Sequence, residues 1–235
     1  MKCASRVRAL VALAALAAAL AAPAPSALFA QSAPATPARP DARSAPREGA
    51  AQAEPPRSSA ARERRPQPRP HSSRVAVDPA LVRVDDGDTF EIAWSARDTE
   101  VVRILGIDTP ETRHPQHDLP YAQSFGPEAR AFAKGAFAAA ERIEVLRSAT
   151  LDPYGRTLGY VFLNGRNYSV LVMRAGLAEE SITRFGDNGL PDQAAEVLAA
   201  AKASGPRPFE SPGEFRRRMR EVSRWMKEQG IYPEQ

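Results

Sequence analysis

Apolar and polar residues alternate along Leu81–Asp85 and again along Asp88–Trp94, the two-residue period of half-buried β-strands. Asp86-Gly87 separates the two runs, a tight-hairpin signature. Asp88, Phe90, Ile92 and Trp94 share parity, which places Asp88 at the open end of an apolar face. Glu100–Ile107 is predicted as a third strand, with Arg142–Arg147 and Arg156–Leu163 as two more and Asn164-Gly165 as the turn that follows. Arg156 shares parity with Leu158, Tyr160 and Phe162 and so heads a core-facing row. Helical spacing takes over in Pro127–Ala140, in Tyr168–Ala175, closed by Gly176, and in Asp192–Ala203, ended by Ser204-Gly205-Pro206. Beyond them Ser211-Pro-Gly-Glu214 reads as a capping box with proline at the first helical position. Phe215, Met219, Val222 and Met226 then recur on one helical stripe, which should pack on the domain and leave Arg216, Arg217 and Arg220 to solvent. There is no internal repeat. Five strands with helices between them predict an α+β fold, a small closed barrel plus helices.

The first thirty residues stand outside this pattern. Lys2, Arg6 and Arg8 precede an apolar run, Ala9–Ala22, that is too short to span a bilayer comfortably. This is the pattern of a secretory signal peptide, with cleavage expected after Ala30; an uncleaved amino-terminal anchor is the alternative. In either case the chain is expected to be exported from a bacterial cell, to the periplasm or the medium. The single cysteine, Cys3, leaves with the signal, so the mature chain has no disulfide and no transmembrane segment.

Charge divides the remainder. Residues 31–74 hold nine arginines against four acids and almost nothing large and apolar, which predicts a disordered linker. It reads as a spacer, or as an arm for nucleic acid or an anionic envelope surface. Residues 75–205, the expected domain, carry thirteen basic and nineteen acidic side chains, and the helical extension 206–235 carries seven and five. The overall balance of +4 therefore belongs to the flanks. The domain itself would repel a polyanion unless a cation were bound.

The chemistry lies in the run from Val102 to Thr112, where Arg103 sits inside an apolar strand that ends in Asp108 and Glu111. Burying a guanidinium is costly unless an anion meets it, and Pro110, with no amide to donate, ends strand pairing between the two acids. With Asp88 after the hairpin turn, three acidic positions converge. Asp88, Asp108 and the Thr109 carbonyl supply the hard oxygen ligands that calcium takes, leaving room for water and a phosphate oxygen. Glu111, three residues past Asp108, would then reach a water held by that ion as general base. Arg103 and Arg156 are the candidate charge stabilisers, since guanidinium forks bind two oxygens in a plane and stay protonated. The alternative for each arginine is a structural ion pair. Asp85 and Asp86 read as simple turn residues, and His114 and His117 as solvated histidines of a mobile, proline-rich loop. Tyr121, Phe125, Trp94 and Phe162 read as packing.

These residues carry a family resemblance. Asp86-Gly-Asp-Thr89, Arg103 with Asp108-Thr-Pro-Glu-Thr112, Gly126-Pro-Glu-Ala129, Asp152-Pro-Tyr-Gly-Arg156, Gly159-Tyr-Val-Phe-Leu-Asn-Gly165 and Arg174-Ala-Gly-Leu-Ala178 resemble staphylococcal nuclease, in the same order, over roughly Val82 to Ser204. The resemblance implies a five-stranded OB-type β-barrel with about three helices, to which this chain adds a C-terminal helix. It also implies a calcium-dependent nuclease that cuts DNA and RNA to leave 3′-phosphates. Matched by position, Asp88, Asp108 and Thr109 fall on metal ligands, Glu111 on the general base and Arg103 and Arg156 on phosphate-binding arginines. Tyr154 falls on a tyrosine that touches the substrate's terminal phosphate. Two places depart: Pro153 stands where the family has a lysine, and Glu179–Phe185 replaces a stretch with nucleotide-stacking tyrosines, with Phe185 as an offset aromatic.

The sequence thus leads to an exported, metal-dependent phosphodiesterase with nucleic acid as substrate, one calcium ion (or magnesium) as cofactor, no stable protein partner and a monomeric state. Its rival is a catalytically silent OB-type module that binds nucleic acid or protein. A phosphodiesterase of lipids or small esters would use the same metal site.

Overall fold

The computed structural model describes residues 65–233; the expected signal segment and most of the arginine-rich linker lie outside them. Among the described residues packing is already present at Arg65, whose carbonyl accepts from Leu151 N–H at 2.9 Å, ahead of the boundary expected at residue 75. Pro66 bridges Thr150, Gln67 donates to Thr157 Oγ1 at 3.2 Å, and Arg69 pairs with Asp98 and Glu100. Nine strands follow: β1 (Arg74–Val77), β2 (Val82–Val84), β3 (Thr89–Ser95), β4 (Asp98–Ile104), β5 (Ile107–Asp108), β6 (Ile143–Leu151), β7 (Thr157–Leu163), β8 (Arg166–Asn167) and β9 (Glu179–Glu180). The helices are α1 (Gly126–Ala138), α2 (Tyr168–Arg174), α3 (Ile182–Phe185), α4 (Pro191–Ser204) and α5 (Pro212–Glu228).

The main sheet runs β1-β6-β7-β4-β3-β2 and curls into a half-barrel, with β8 added beside β7. All its neighbours are antiparallel except β4 and β7, which the α1 crossover makes parallel. Phe90, Ile92, Val102, Val145 and Val161 share the face inside the curl, and they belong to one continuous core with Phe137 of α1, Tyr168 and Val172 of α2 and Val197 of α4. The molecule is therefore the expected α+β, OB-like architecture with an added C-terminal helix. That helix covers a satellite core of its own, in which Phe215 and Met219 pack on Leu119.

Several local expectations give way. The β2–β3 hairpin forms with Val84 opposite Phe90, but its connection is four residues, and Gly87 has no positive φ. The two-residue geometry expected there appears instead at Asn164 and Gly165, with φ of 50° and 77°. The predicted third strand breaks after Ile104, because Gly106 at φ 83° turns the chain. Ile107–Asp108 then pairs separately, with β9. Arg156 precedes β7 and so does not head its buried row. The stretch after Glu111 is ordered: His114 bridges Leu119 and accepts or donates to Thr112 at 2.6 Å, and α5 covers it through Ser223 Oγ bonded to the Asp118 carbonyl at 2.8 Å. His117 is exposed as expected.

A buried ionic knot holds the far end of β4. Arg147, 1% exposed, donates to both carboxylate oxygens of Glu100 at 2.7 and 2.9 Å. Thr157 Oγ1 and Trp94 Nε1 donate to the same carboxylate at 2.7 and 2.9 Å. Burial alone would raise the Glu100 pKa; the bonds from Arg147, Thr157 and Trp94 outweigh it and hold the carboxyl below its usual range. A pKa depressed by folding adds stability above the unfolded value, and that stability is lost as pH falls through the folded value. Glu100→Gln, which strands a buried guanidinium, is expected to cost about 3–5 kcal/mol in denaturant unfolding at neutral pH. The wild-type chain should lose stability on acidification below about pH 4, and the variant should show a flatter acid limb in the same measurement.

Candidate active site

Two segments that lie apart in sequence meet through a missing side chain. A Cβ on Gly87 would stand 2.6 Å from Thr109 Oγ1, so only glycine lets the Asp86–Asp88 loop press on the β5 exit. Tyr168 of α2 fixes that loop from behind, donating its hydroxyl to the Gly87 carbonyl at 2.8 Å. Ile104 N–H donates to the Asp88 carbonyl at 2.8 Å and extends the β3–β4 ladder to the loop's end. Asp88 then turns its carboxylate to Thr109, accepting from the backbone N–H at 2.8 Å and the hydroxyl at 3.0 Å.

Arg103 closes the arrangement from β4. Its guanidinium pairs with Asp88 through one terminal nitrogen and with Asp108 through the other, the latter at 2.9 Å. The anion required by an arginine in an apolar strand is thus two carboxylates from two segments. Past Pro110, Glu111 is set by its backbone. Its N–H donates to Gln123 Oε1 at 3.1 Å, and its carbonyl accepts from Gln123 N–H at 2.9 Å. A Cβ on Gly126, the first residue of α1, would fall 2.1 Å from that carbonyl. Gln123 also donates to the Glu210 carbonyl at 2.7 Å, tying the site to the C-terminal segment.

The main correction concerns Arg216, expected in solvent. It reaches from α5 to Asp108, at 2.7 Å and 3.0 Å, and pairs with Glu111 as well. The expected capping box also fails: Ser211 stands at the N-cap position, but its hydroxyl goes to Glu179 at 2.6 Å and makes no capping bond. Arg217 and Arg220 are exposed as expected. Asp86 does serve its turn, accepting from Asp88 N–H at 2.9 Å, but it also belongs to the acidic cluster, since it adds to the negative field felt by Glu111.

Electrostatics separate these acids. Burial pushes Glu111 up, against the opposing pull of Arg216, and Asp108 and Asp86 push it further. Burial likewise raises Asp86 despite Arg103 and His114. Asp108 goes the other way, because its bonds to Arg216 and Arg103 outweigh its burial. The same contacts overcome the burial of Arg216 and keep it protonated. Four carboxylates therefore share two guanidinium groups, leaving a negative excess in a mostly buried place. The donor set, all hard oxygen with surplus negative charge, fits a hard divalent cation such as calcium or magnesium. Among the described residues no three acidic, histidine or cysteine side chains form a ready cage, since the inner oxygens are turned to Arg103 and Arg216.

The fold thus gathers Asp88, Arg103, Asp108, Thr109 and Glu111. It does not bring Arg156 or Tyr154 into contact with them among the described residues. Arg156 Nε pairs with Asp152 at 2.7 Å, and its guanidinium lies 5.7 Å from the centre of the Tyr154 ring, which is 81% exposed. Two residues escaped the sequence reading. Asp86 carried a signal, since it shares parity with Asp88. Arg216 carried a fainter one: it borders the buried stripe at Phe215, and the acidic domain calls for a cation.

Residues 101–205 match the model of a family described as staphylococcal nuclease homologue. The chain is 40% identical over 97 residues to a thermonuclease of Staphylococcus intermedius, covering 41% of this chain and 55% of that protein. It is 33% identical over 105 residues to a thermonuclease of Staphylococcus hyicus, covering 44% and 59%. It is 31% identical over 112 residues to an endonuclease, YncB, of Bacillus subtilis, covering 46% and 51%. The alignments span from 33% to 59% of the curated relatives' own lengths. Asp88 lies before the family-matched segment and Arg216 beyond it, while Arg103, Asp108, Thr109, Glu111 and Arg156 lie inside. Residues 101–205 of this chain are a staphylococcal-nuclease-like domain.

Proposed function

We propose that the chain is a nuclease that hydrolyses phosphodiester bonds of DNA or RNA. The observation that carries this reading is the meeting of Asp88 and Asp108 on Arg103, with Glu111 tied to Asp108 through Arg216; these acids and Arg103 follow the family's order. The names of the relatives, thermonuclease and endonuclease, support the same class.

Asp88, Asp108 and the Thr109 carbonyl are the residues that would hold a calcium ion, with magnesium the alternative. Bound there, the ion would supply Lewis-acid polarisation of a phosphate oxygen and lower the pKa of nearby water. Glu111, whose pKa burial raises above the usual carboxylate value, takes a proton from the attacking water. The water oxygen bonds to phosphorus while the bond to the 5′-oxygen breaks. That oxygen leaves with an arginine hydrogen-bonded to it and takes its proton from solvent, and the product keeps a 3′-phosphate. Arg103 and Arg156 spread the charge that develops on the phosphoryl oxygens. For Arg156, Asp152 fixes the ε edge and leaves the terminal fork for the substrate. Tyr154, exposed beside it, would touch the terminal phosphate. Arg216 holds Glu111 and Asp108 until a phosphate oxygen competes for its guanidinium.

The amino-terminal pattern supports an exported protein, and no helix among the described residues is long and apolar enough to cross a membrane. A second reading, binding without cleavage, draws its support from Arg216 lying against the base.

Incubation of the full chain with plasmid and with RNA separates these readings: cleavage in calcium, abolished by chelator, is expected, and intact polymers under both conditions would leave binding alone. Glu111→Gln should lower turnover by about 10²–10⁴-fold with unchanged circular dichroism; activity equal to wild type would place the base elsewhere. Gly126→Ala, whose new Cβ must push the Glu111 carbonyl, is expected to lose about 100-fold in turnover on the same substrates.

A further inference from the structure

Beside the acidic cluster a cleft of about 560 Å³ opens between α3 and the start of α5. Arg184, Arg207, Arg216, Arg217 and Arg220 line it, with Phe185. Only two acids, Glu179 and Glu214, share the cleft with these five guanidinium groups. Glu179 is committed to Arg207 at 2.9 Å and to Ser211, and Glu214 meets Arg217 at 3.8 Å in an exposed pair of little strength. Arg184 and Arg220 have no carboxylate partner among the described residues, so the cleft is left with uncompensated positive charge.

Its walls have further features. Gly213 puts no side chain between Arg184 and Arg216; a Cβ there would stand 3.2 Å from Arg184 Nη1. The Arg184 guanidinium lies 5.0 Å from the centre of the Phe185 ring, and that ring is 54% exposed. A flat apolar face beside guanidinium forks matches a base beside its phosphates. The inner end is Arg216, which touches Asp108 and Glu111, so the cleft and the cluster form one continuous surface.

We propose that this cleft is a subsite for single-stranded nucleic acid, holding the phosphates and a base next to the linkage being cut. The inference rests on the nuclease reading and deepens it. It assigns Arg184, Phe185 and Arg220 to the strand and gives the basic extension 206–235 a role that the acidic domain cannot fill. A polyanion repelled by the domain as a whole finds here the patch that draws it in.

The test uses the full chain and a single-stranded phosphorothioate 16-mer, with binding followed by fluorescence anisotropy across a salt series. The double variant Arg184→Ala, Arg220→Ala changes two exposed side chains and is expected to bind roughly tenfold more weakly. Its salt slope should be shallower by about 1.4, the share of two phosphate contacts on a single strand. Phe185→Ala should weaken binding roughly fivefold or more with the slope unchanged, because stacking releases no counterions. Arg97→Ala, on the exposed β3–β4 turn, serves as the control and should match wild type. On an unmodified 16-mer the double variant should raise KM far more than it lowers kcat, and the loss should shrink on a dinucleotide. Wild-type affinity and slope in the double variant, with wild-type cleavage, would overturn the subsite and leave the nuclease standing. A wild-type chain that neither binds nor cuts the strand would sink the nuclease reading itself.

Discussion

Arg103 is the constraint on which the site depends. A guanidinium on an apolar strand cannot remain there without anions, and no single neighbouring acid is placed to satisfy both of its terminal nitrogens. Asp88, in the loop just ahead of β3, and Asp108, at the end of β5, each take one. Satisfying one side chain therefore fixes the relative position of two segments, and the acids arrive together as a consequence. The glycine at 87 makes the approach sterically possible, and the tyrosine at 168 keeps it from relaxing.

Strand β4 bears two ionic networks built from the same chemistry, with opposite outcomes. Around Glu100 one carboxylate receives bonds from Arg147, Thr157 and Trp94, and its charge is fully answered. Three residues along, roughly 10 Å of strand, four carboxylates share two arginines and burial raises two of their pKa values. Saturation marks the first as structural. Deficit marks the second as a place that still wants a ligand, and it is this imbalance, more than the presence of acids, that distinguishes the candidate site.

Much of this was legible in the chain. Period-two alternation marks the strands, and the cost of burying a lone guanidinium says that Arg103 needs an anion. That Asp88 and Asp108, expected to ligate a cation, are that anion is visible only in the structure. What escaped was set by contacts distant in sequence. The hairpin at Asp86-Gly87 looked like a turn that needs a left-handed glycine, whereas the glycine is required by Thr109, 22 residues on, and no local pattern encodes that approach. Ser211 had every feature of a cap, and lost that role because Glu179 offered its hydroxyl a charged acceptor. Arg216 looked solvent-facing because a helical period separates faces but cannot say that a neighbouring loop curls up to meet the face's edge. Arg156 shows the converse: its parity with the β7 row was real, but the strand begins one residue later, and the side chain answers to Asp152.

The C-terminal helix has an implication for where this domain ends. Boundaries drawn from similarity stop at residue 205. A chain trimmed there would keep the whole matched segment yet lose one of the two cations that neutralise the acids, the carbonyl that anchors Gln123, and the apolar lid over Leu119. Homology would call such a fragment whole, while its charge balance and its packing would both be those of a damaged molecule.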